Sequence, residues 1–159
     1  MTSRPALLLA IAALSGCETG PRVEVAWTGA DTGHAVLPAT ARRCGAGPVE
    51  LLATSGDTGI GITLYGEVPL ATGTYAIADP NQAASAPPAA ALAARWIDSI
   101  EVMGFRSLDG SLELGAADPL EGSFTVRASR WSGGSGEVTL TGSIHDVGVG
   151  PCPPKGGAK

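Results

Sequence analysis

The sequence predicts an all-β domain: an antiparallel β-sandwich or barrel of eight to nine short strands, interrupted by a Pro/Ala-rich crossover loop. Three observations carry that prediction. Apolar residues recur with a period of two along much of the chain, the spacing that sends alternate side chains to opposite faces of a strand. Clusters of Gly, Asp and Ser separate these runs, and the 23 glycines and 12 prolines are the residues tight turns require. The chain has 159 residues, 44% of them hydrophobic and only 16% charged. That length makes one domain able to bury roughly two thirds of its unfolded surface, and so low a charge is wrong for disorder. A net charge of −5 argues against a nucleic-acid partner, which needs a basic patch to displace counterions.

Taken in chain order, Val23, Val25 and Trp27 alternate as a first strand, and Val49–Thr54 forms a weaker one. Ser55-Gly56-Asp57 turns the chain into a strand carrying Ile60, Ile62 and Leu64. Thr74–Ala78 is another weak strand. Asp79–Ala94 breaks the pattern with Pro80, Pro87 and Pro88 among alanines and is predicted as the crossover loop. Within it, Ala89–Ala94 has the composition for one or two helical turns. Ile97–Arg106 is apolar on both faces, as expected of a central strand. Asp109-Gly110 suits a tight hairpin leading to Leu112 and Leu114. Phe124, Val126 and Ala128 then alternate with Ser123, Thr125, Arg127 and Ser129. Gly133–Gly136 makes a looser turn, and Val138, Leu140, Gly142 and Ile144 alternate with Thr139, Thr141, Ser143 and His145. The expected organisation is a leader over residues 1–16, a tether over 17–22, a single β domain over 23–152 and a tail over 153–159.

The leader has its own logic. Arg4 provides a short positive region, Ala6–Leu14 a nine-residue apolar run, and Leu14-Ser15-Gly16-Cys17 follows at once. The run is too short to span a bilayer and has the layout of a secretory signal. A cysteine directly after small residues closely resembles the lipobox of bacterial lipoproteins. That resemblance implies cleavage before Cys17, diacylation of its thiol and acylation of its new amine. Each buried acyl CH₂ contributes about 0.8 kcal/mol, so two or three chains anchor a domain stably. The membrane is thus the expected first partner, through lipid on Cys17. Glu18 stands where an Asp in such lipoproteins signals inner-membrane retention, so the resemblance favours the outer membrane in a Gram-negative host. A second resemblance covers about a quarter of the chain. Gly110-Ser-Leu-Glu-Leu114, Leu120-Glu-Gly-Ser-Phe-Thr-Val126 and Gly136-Glu-Val-Thr-Leu-Thr-Gly142 look like the end of small uncharacterised β-rich envelope lipoproteins. It implies fold and location and carries no activity.

Cleavage before Cys17 removes Arg4 and no acidic residue, leaving nine basic against fifteen acidic residues and a net −6. It also leaves Cys44 and Cys152 as the two thiols of an exported domain, where a disulfide is the economical expectation.

Candidate chemistry is sparse. Asp31-Thr32-Gly33 and Asp57-Thr58-Gly59 both spell the Asp-Thr-Gly of aspartic proteases, where two carboxylates share a proton. In that family the triplet ends an apolar strand, whereas Asp57 follows Ser55-Gly56 and Asp31 follows Thr28-Gly29-Ala30, which are turn residues. An aspartic-protease-like hydrolase using Asp57 or Asp31 is therefore the competing expectation, and Asp-initiated turns the preferred one. His34 and His145 are far apart, with His145 expected on an outer face. Asp109, Asp118 and Glu121 lack the alternating carboxylates and closing glutamate of a calcium loop. There is no Gly-x-Ser-x-Gly elbow. No cofactor and no metal site are expected. Of Trp27, Trp96 and Trp131, a core short of aromatics needs most, and Trp131, beside the Gly-rich turn, is the expected binding surface. The segment 79–92 is a second candidate contact surface. The expected function is a non-enzymatic, lipid-anchored envelope module that binds an envelope protein or a glycan.

Overall fold

Among the described residues, ten strands and one short helix make up the fold. They are β1 (Arg22–Gly29), β2 (Gly33–Arg43), β3 (Val49–Ser55), β4 (Thr58–Tyr65), β5 (Gly73–Ala78), α1 (Pro80–Ser85), β6 (Ala89–Asp98), β7 (Glu101–Ala117), β8 (Leu120–Ser132), β9 (Glu137–Val147) and β10 (Val149–Pro151). The structure, a computed structural model, describes residues 20–132 and 134–153. The leader, Cys17, the start of the tether and residues 154–159 lie outside the described residues.

All ten strands belong to one mixed sheet, in the order β1-β9-β8-β7-β5-β6-β4-β3-β2-β10. β1 also pairs with β2, from Arg22↔Pro38 to Trp27↔Gly33, so the hydrogen bonding returns on itself like a ring. Two pairs are parallel, β5 with β6 and β10 with β2, which makes the sheet mixed rather than wholly antiparallel. Ring-like bonding leaves few free strand edges, the feature that otherwise invites aggregation.

Period-two alternation sets what lies inside. Val23, Val25 and Trp27 of β1, Ile60, Ile62 and Leu64 of β4, and Phe124, Val126 and Ala128 of β8 all point into a single buried cluster shared by the larger strands. The alternate positions of β8, such as Thr125 and Arg127, face out. Turns divide the fold into two ends. At one end lie the β1–β2, β3–β4, β6–β7 and β8–β9 turns. At the other lie Arg22, where β1 begins, the β2–β3, β4–β5 and β7–β8 connections, and Cys152. Cys44 and Cys152 are joined there as a disulfide, Cα atoms 5.0 Å apart, tying the end of β2 to β10.

The structure corrects several expectations. β2 is a strand that the sequence hides, because Pro38 sits within it and proline cannot donate to a ladder. Pro38 lies where β1 begins; the next residue, Ala39, donates to Pro21 O at 3.0 Å, and β10 takes over beside β2 further on. The alanine run Ala89–Ala94 is strand, not helix. Its outward Ala89 and Ala91 are covered by Ala83 of α1, and Ala90 and Ala94 face the interior, so small side chains are needed on both faces. The crossover itself contains α1, capped by Asp79 Oδ1, which accepts from Asn81 N at 3.0 Å, with Pro80 at the first position. Ile97–Arg106 is not one central strand but a hairpin that reverses between Asp98 and Glu101, with Ser99 at φ 58°. Asp109-Gly110 is not a turn. It lies in mid-β7, where a Cβ on Gly110 would meet Thr125 O at 2.2 Å. That close approach, not a chain reversal, is why glycine stands there.

β7 is the longest strand because it serves two partners. Glu101–Arg106 pair with β6 and Asp109–Leu114 pair with β5. Ser107 sits at the hand-over, fully buried. Its hydroxyl donates to Ala78 O at 2.6 Å and accepts from Leu92 N at 3.1 Å, satisfying backbone groups of both neighbours.

Candidate functional site

The end of the ring that carries the β6–β7 turn holds the most unusual side-chain grouping. Trp27, Trp96 and Phe105 all point inward near it and stack in sequence, with ring centroids 4.4 Å and 4.6 Å apart. Trp27 and Trp96 are therefore core, and the stack closes that end of the interior. Both indole N–H groups face Asp31 in the β1–β2 turn: Trp96 Nε1 donates to Asp31 Oδ2 at 2.7 Å and Trp27 Nε1 to the same oxygen at 3.2 Å. Thr32 N donates to Asp31 Oδ1 at 2.7 Å. Burial raises the Asp31 pKa, but the Thr32 amide, the two indoles and the nearby Arg130 charge outweigh it and hold the carboxyl below the usual range. This arrangement fixes a turn over buried aromatics. It leaves one oxygen bonded to two indoles and the other to backbone, which is not how a proton-sharing carboxylate pair is built.

Arg130 completes the closure. It pairs with Phe105 across the ladder, so its side chain points inward and is only 13% exposed. Its Nε donates to Ser132 O at 3.1 Å, and Nη2 lies 3.1 Å from Glu101 Oε1 as an ion pair without hydrogen-bond geometry.

Trp131, one residue on, is placed quite differently. The β7–β8 ladder is irregular here: Gly104 pairs with Ser132 and Phe105 with Arg130, so Trp131 is the extra residue. Its indole lies over Gly104, where a Cβ would meet Nε1 at 2.9 Å, and it remains 64% exposed. Ile97 and Val102 pair across the neighbouring hairpin on the outward side, and Ile100 at the tip is 98% exposed. These four residues gather most of the large apolar side chains that the described surface leaves exposed. Sequence reasoning selected Trp131 but assigned its companions to a buried strand. A solvent-facing apolar row and a buried one look alike until the turn between them is located.

The other candidates are dispersed. Asp57 occupies the exposed two-residue turn between β3 and β4. His34 lies on the outer face of β2. His145, on the outer face of β9, has Nε2 2.8 Å from Ser143 Oγ and 3.6 Å from Glu24 Oε1, with Arg22 Nε 2.9 Å from that same carboxylate oxygen. The serine and the carboxylate meet the same ring nitrogen. In a hydrolytic triad the acid holds the opposite nitrogen, so this cluster reads as a surface ion-pair network. Asp109 is paired with Arg127 in mid-strand, Asp118 lies in the β7–β8 turn accepting from Val149 N at 3.3 Å, and Glu121 is the second residue of β8. Among the described residues no group of three or more His, Cys, Asp or Glu is placed to hold a metal ion. Segment 79–92 contributes Ala84, Pro87 and Pro88 to a cleft of about 530 Å³ that also includes Tyr65, Tyr75 and Pro48. Arg43 braces its walls, donating from Nε to Gly47 O at 2.9 Å and from Nη2 to Gly66 O at 3.0 Å.

No family model, curated protein or solved structure matches the chain.

Proposed function

We propose that this protein is a lipid-anchored, non-enzymatic interaction module of the bacterial envelope, with its sheet closed as a small barrel. The observation that carries the proposal is the exposed apolar group Ile97, Ile100, Val102 and Trp131, set at the end of the fold away from Arg22. Lipid on Cys17, five residues before Arg22, holds the disulfide end towards the membrane and presents the Trp131 end to partners. The eight residues of β1 span about 23 Å at the usual rise per residue, a useful standoff from a bilayer surface. The outward hydroxyl and charged side chains of β8 suit water rather than lipid around the ring. Among the described residues, no helix is long and apolar enough to cross a membrane. The aspartic-protease alternative draws no support from the surroundings of Asp31 or Asp57.

Two measurements test the proposal together. Cys17→Ser is expected to move the protein from the membrane fraction to the soluble fraction. A photo-crosslinking residue at position 131 is expected to capture a protein in intact cells, and one at exposed Glu121 is not. Unchanged partitioning contradicts the anchor, and equal labelling at the two positions contradicts the interaction surface.

A further inference from the structure

We infer that a cavity at the disulfide end of the ring binds a single aliphatic acyl chain, leaving the head group in water. The inference rests on the proposed membrane-facing role of that end and names what the end takes up. The cavity encloses about 360 Å³, towards the small end of ligand sites. It lies between the β4–β5 connection, the β7–β8 turn and β10. Val49 and Leu70 belong to the core, and Ala117 and Val149 pack against it, so these four make an apolar wall continuous with the interior. Val68 also lines the cavity yet is 63% exposed, an apolar side chain held at the rim of the end proposed to face the bilayer.

The wall selects the ligand by its chemistry. Two charged residues line it, and both are bonded within the fold: Arg43 donates to Gly47 O and Gly66 O, and Asp118 accepts from Val149 N. A polar ligand would surrender its water there without compensation, whereas burying CH₂ groups is favourable. Among the described residues no aromatic ring lines this cavity, so a sugar has no stacking platform. The outer edge of β10 offers an extended peptide no N–H either, since that of Val149 is taken and Pro151 has none. Two sources supply an acyl chain at this place. One is the bilayer itself, as a fatty acid or a phospholipid. The other is lipid on Cys17. Pro21 O accepts from Ala39 N and Val149 pairs with Ala41, so the tether joins β2 two residues, or about 7 Å, from the cavity wall.

The test is calorimetric titration of the chain from residue 17 onward carrying Cys17→Ser, which retains every strand of the ring. The probes are octanoate, decanoate, dodecanoate and tetradecanoate, each below its micelle concentration. Dodecanoate is expected to bind one to one with a Kd on the order of 10 μM. Each added CH₂ is expected to tighten binding about two- to fourfold until the cavity is full, after which affinity levels off. Cholate, a rigid ring amphiphile, is expected not to bind. Val68→Asp at the exposed rim is expected to weaken dodecanoate binding at least about 20-fold, and Val68→Leu to keep it within about threefold. Ile100→Asp, at the other end, leaves it unchanged. Near-UV circular dichroism of the Trp27–Trp96 stack checks that each variant is folded. No binding across the series overturns the inference, as does an affinity indifferent to chain length or to Val68→Asp, or cholate binding as well as dodecanoate. A benzophenone side chain at position 68 of the acylated protein in intact cells separates the two sources. A link to the Cys17 lipid joins two parts of one chain without added mass, whereas a bilayer lipid adds its own; capture of neither overturns the inference. The titration needs no acylated Cys17, so membrane partitioning unchanged by Cys17→Ser would remove the anchor and leave the cavity's ligand standing.

Discussion

Asp31 shows how one residue gains a structural role that its sequence context obscures. Its triplet reads as catalytic, but its carboxylate is the acceptor that buried Trp27 and Trp96 require. An indole N–H shut away from water without a partner costs about 1–3 kcal/mol, and a charged acceptor strengthens the bond. Asp31→Ala is therefore expected to destabilise the fold by about 2–4 kcal/mol in urea unfolding, with a change in Trp fluorescence. The pH dependence has a definite sign. The folded carboxyl titrates below its unfolded value, so its stabilisation is complete above about pH 4 and is lost as pH falls through the lower folded value. Asp31→Asn keeps a side-chain acceptor without the charge. Its stability is expected to fall less steeply than the parent's below pH 4; an identical acid slope would remove Asp31 from the account. Ser107 plays a comparable role with a hydroxyl, and nothing in its sequence neighbourhood marks it out. Its importance arises only where β7 changes partners.

Among the elements, β7 carries the most fold-specific information and was the hardest to recognise. Alternation in β1, β4, β8 and β9 was legible because each buries one face and wets the other. The Ser55-Gly56-Asp57 turn was legible for the same local reason. β2 was hidden by Pro38, whose missing N–H is tolerated only because β1 begins beside it. Ala89–Ala94 has the intrinsic propensity of a helix, but packing overrides it, with an interior on one side and α1 on the other. The reversal at Ser99 is hard to read from sequence because its signal is a single turn residue inside an apolar run. Trp131 was recognisable as a surface candidate from its Gly-rich neighbour, but Ile97 and Val102 became its companions only once that reversal was located. Asp109-Gly110 has the composition of a tight hairpin, but the ladder runs straight through it, and the glycine answers a close approach instead. Gly110→Ala is expected to cost about 2–4 kcal/mol, since φ of 151° and a Cβ 2.2 Å from Thr125 O both oppose it. Thermal unfolding of the variant provides the check, and an unchanged midpoint would contradict the register of β7 on β8.

At the scale of the whole molecule, the ring assigns different work to its two ends. One end gathers Arg22 and the Cys44–Cys152 disulfide, which closes a loop of 108 residues; in the chain-entropy view such a bridge stabilises by about 4.7 kcal/mol. The other end is sealed by the aromatic stack, Asp31 and Arg130, and carries the exposed apolar hairpin. Under the proposed anchoring, lipid takes Cys17 and the bridge takes Cys44 and Cys152, so none of the three cysteines is left over. We propose that the domain hangs from Cys17 with its apolar surface pointing away. Intact-mass spectrometry of the protein isolated from bacterial membranes tests it most directly. The expected product is a chain beginning at Cys17, heavier than its amino-acid mass by a diacylglyceryl group and an amide-linked acyl chain, and lighter by the pair of hydrogens lost in the Cys44–Cys152 bridge. A chain cut elsewhere, or one beginning at an unmodified Cys17, would contradict it.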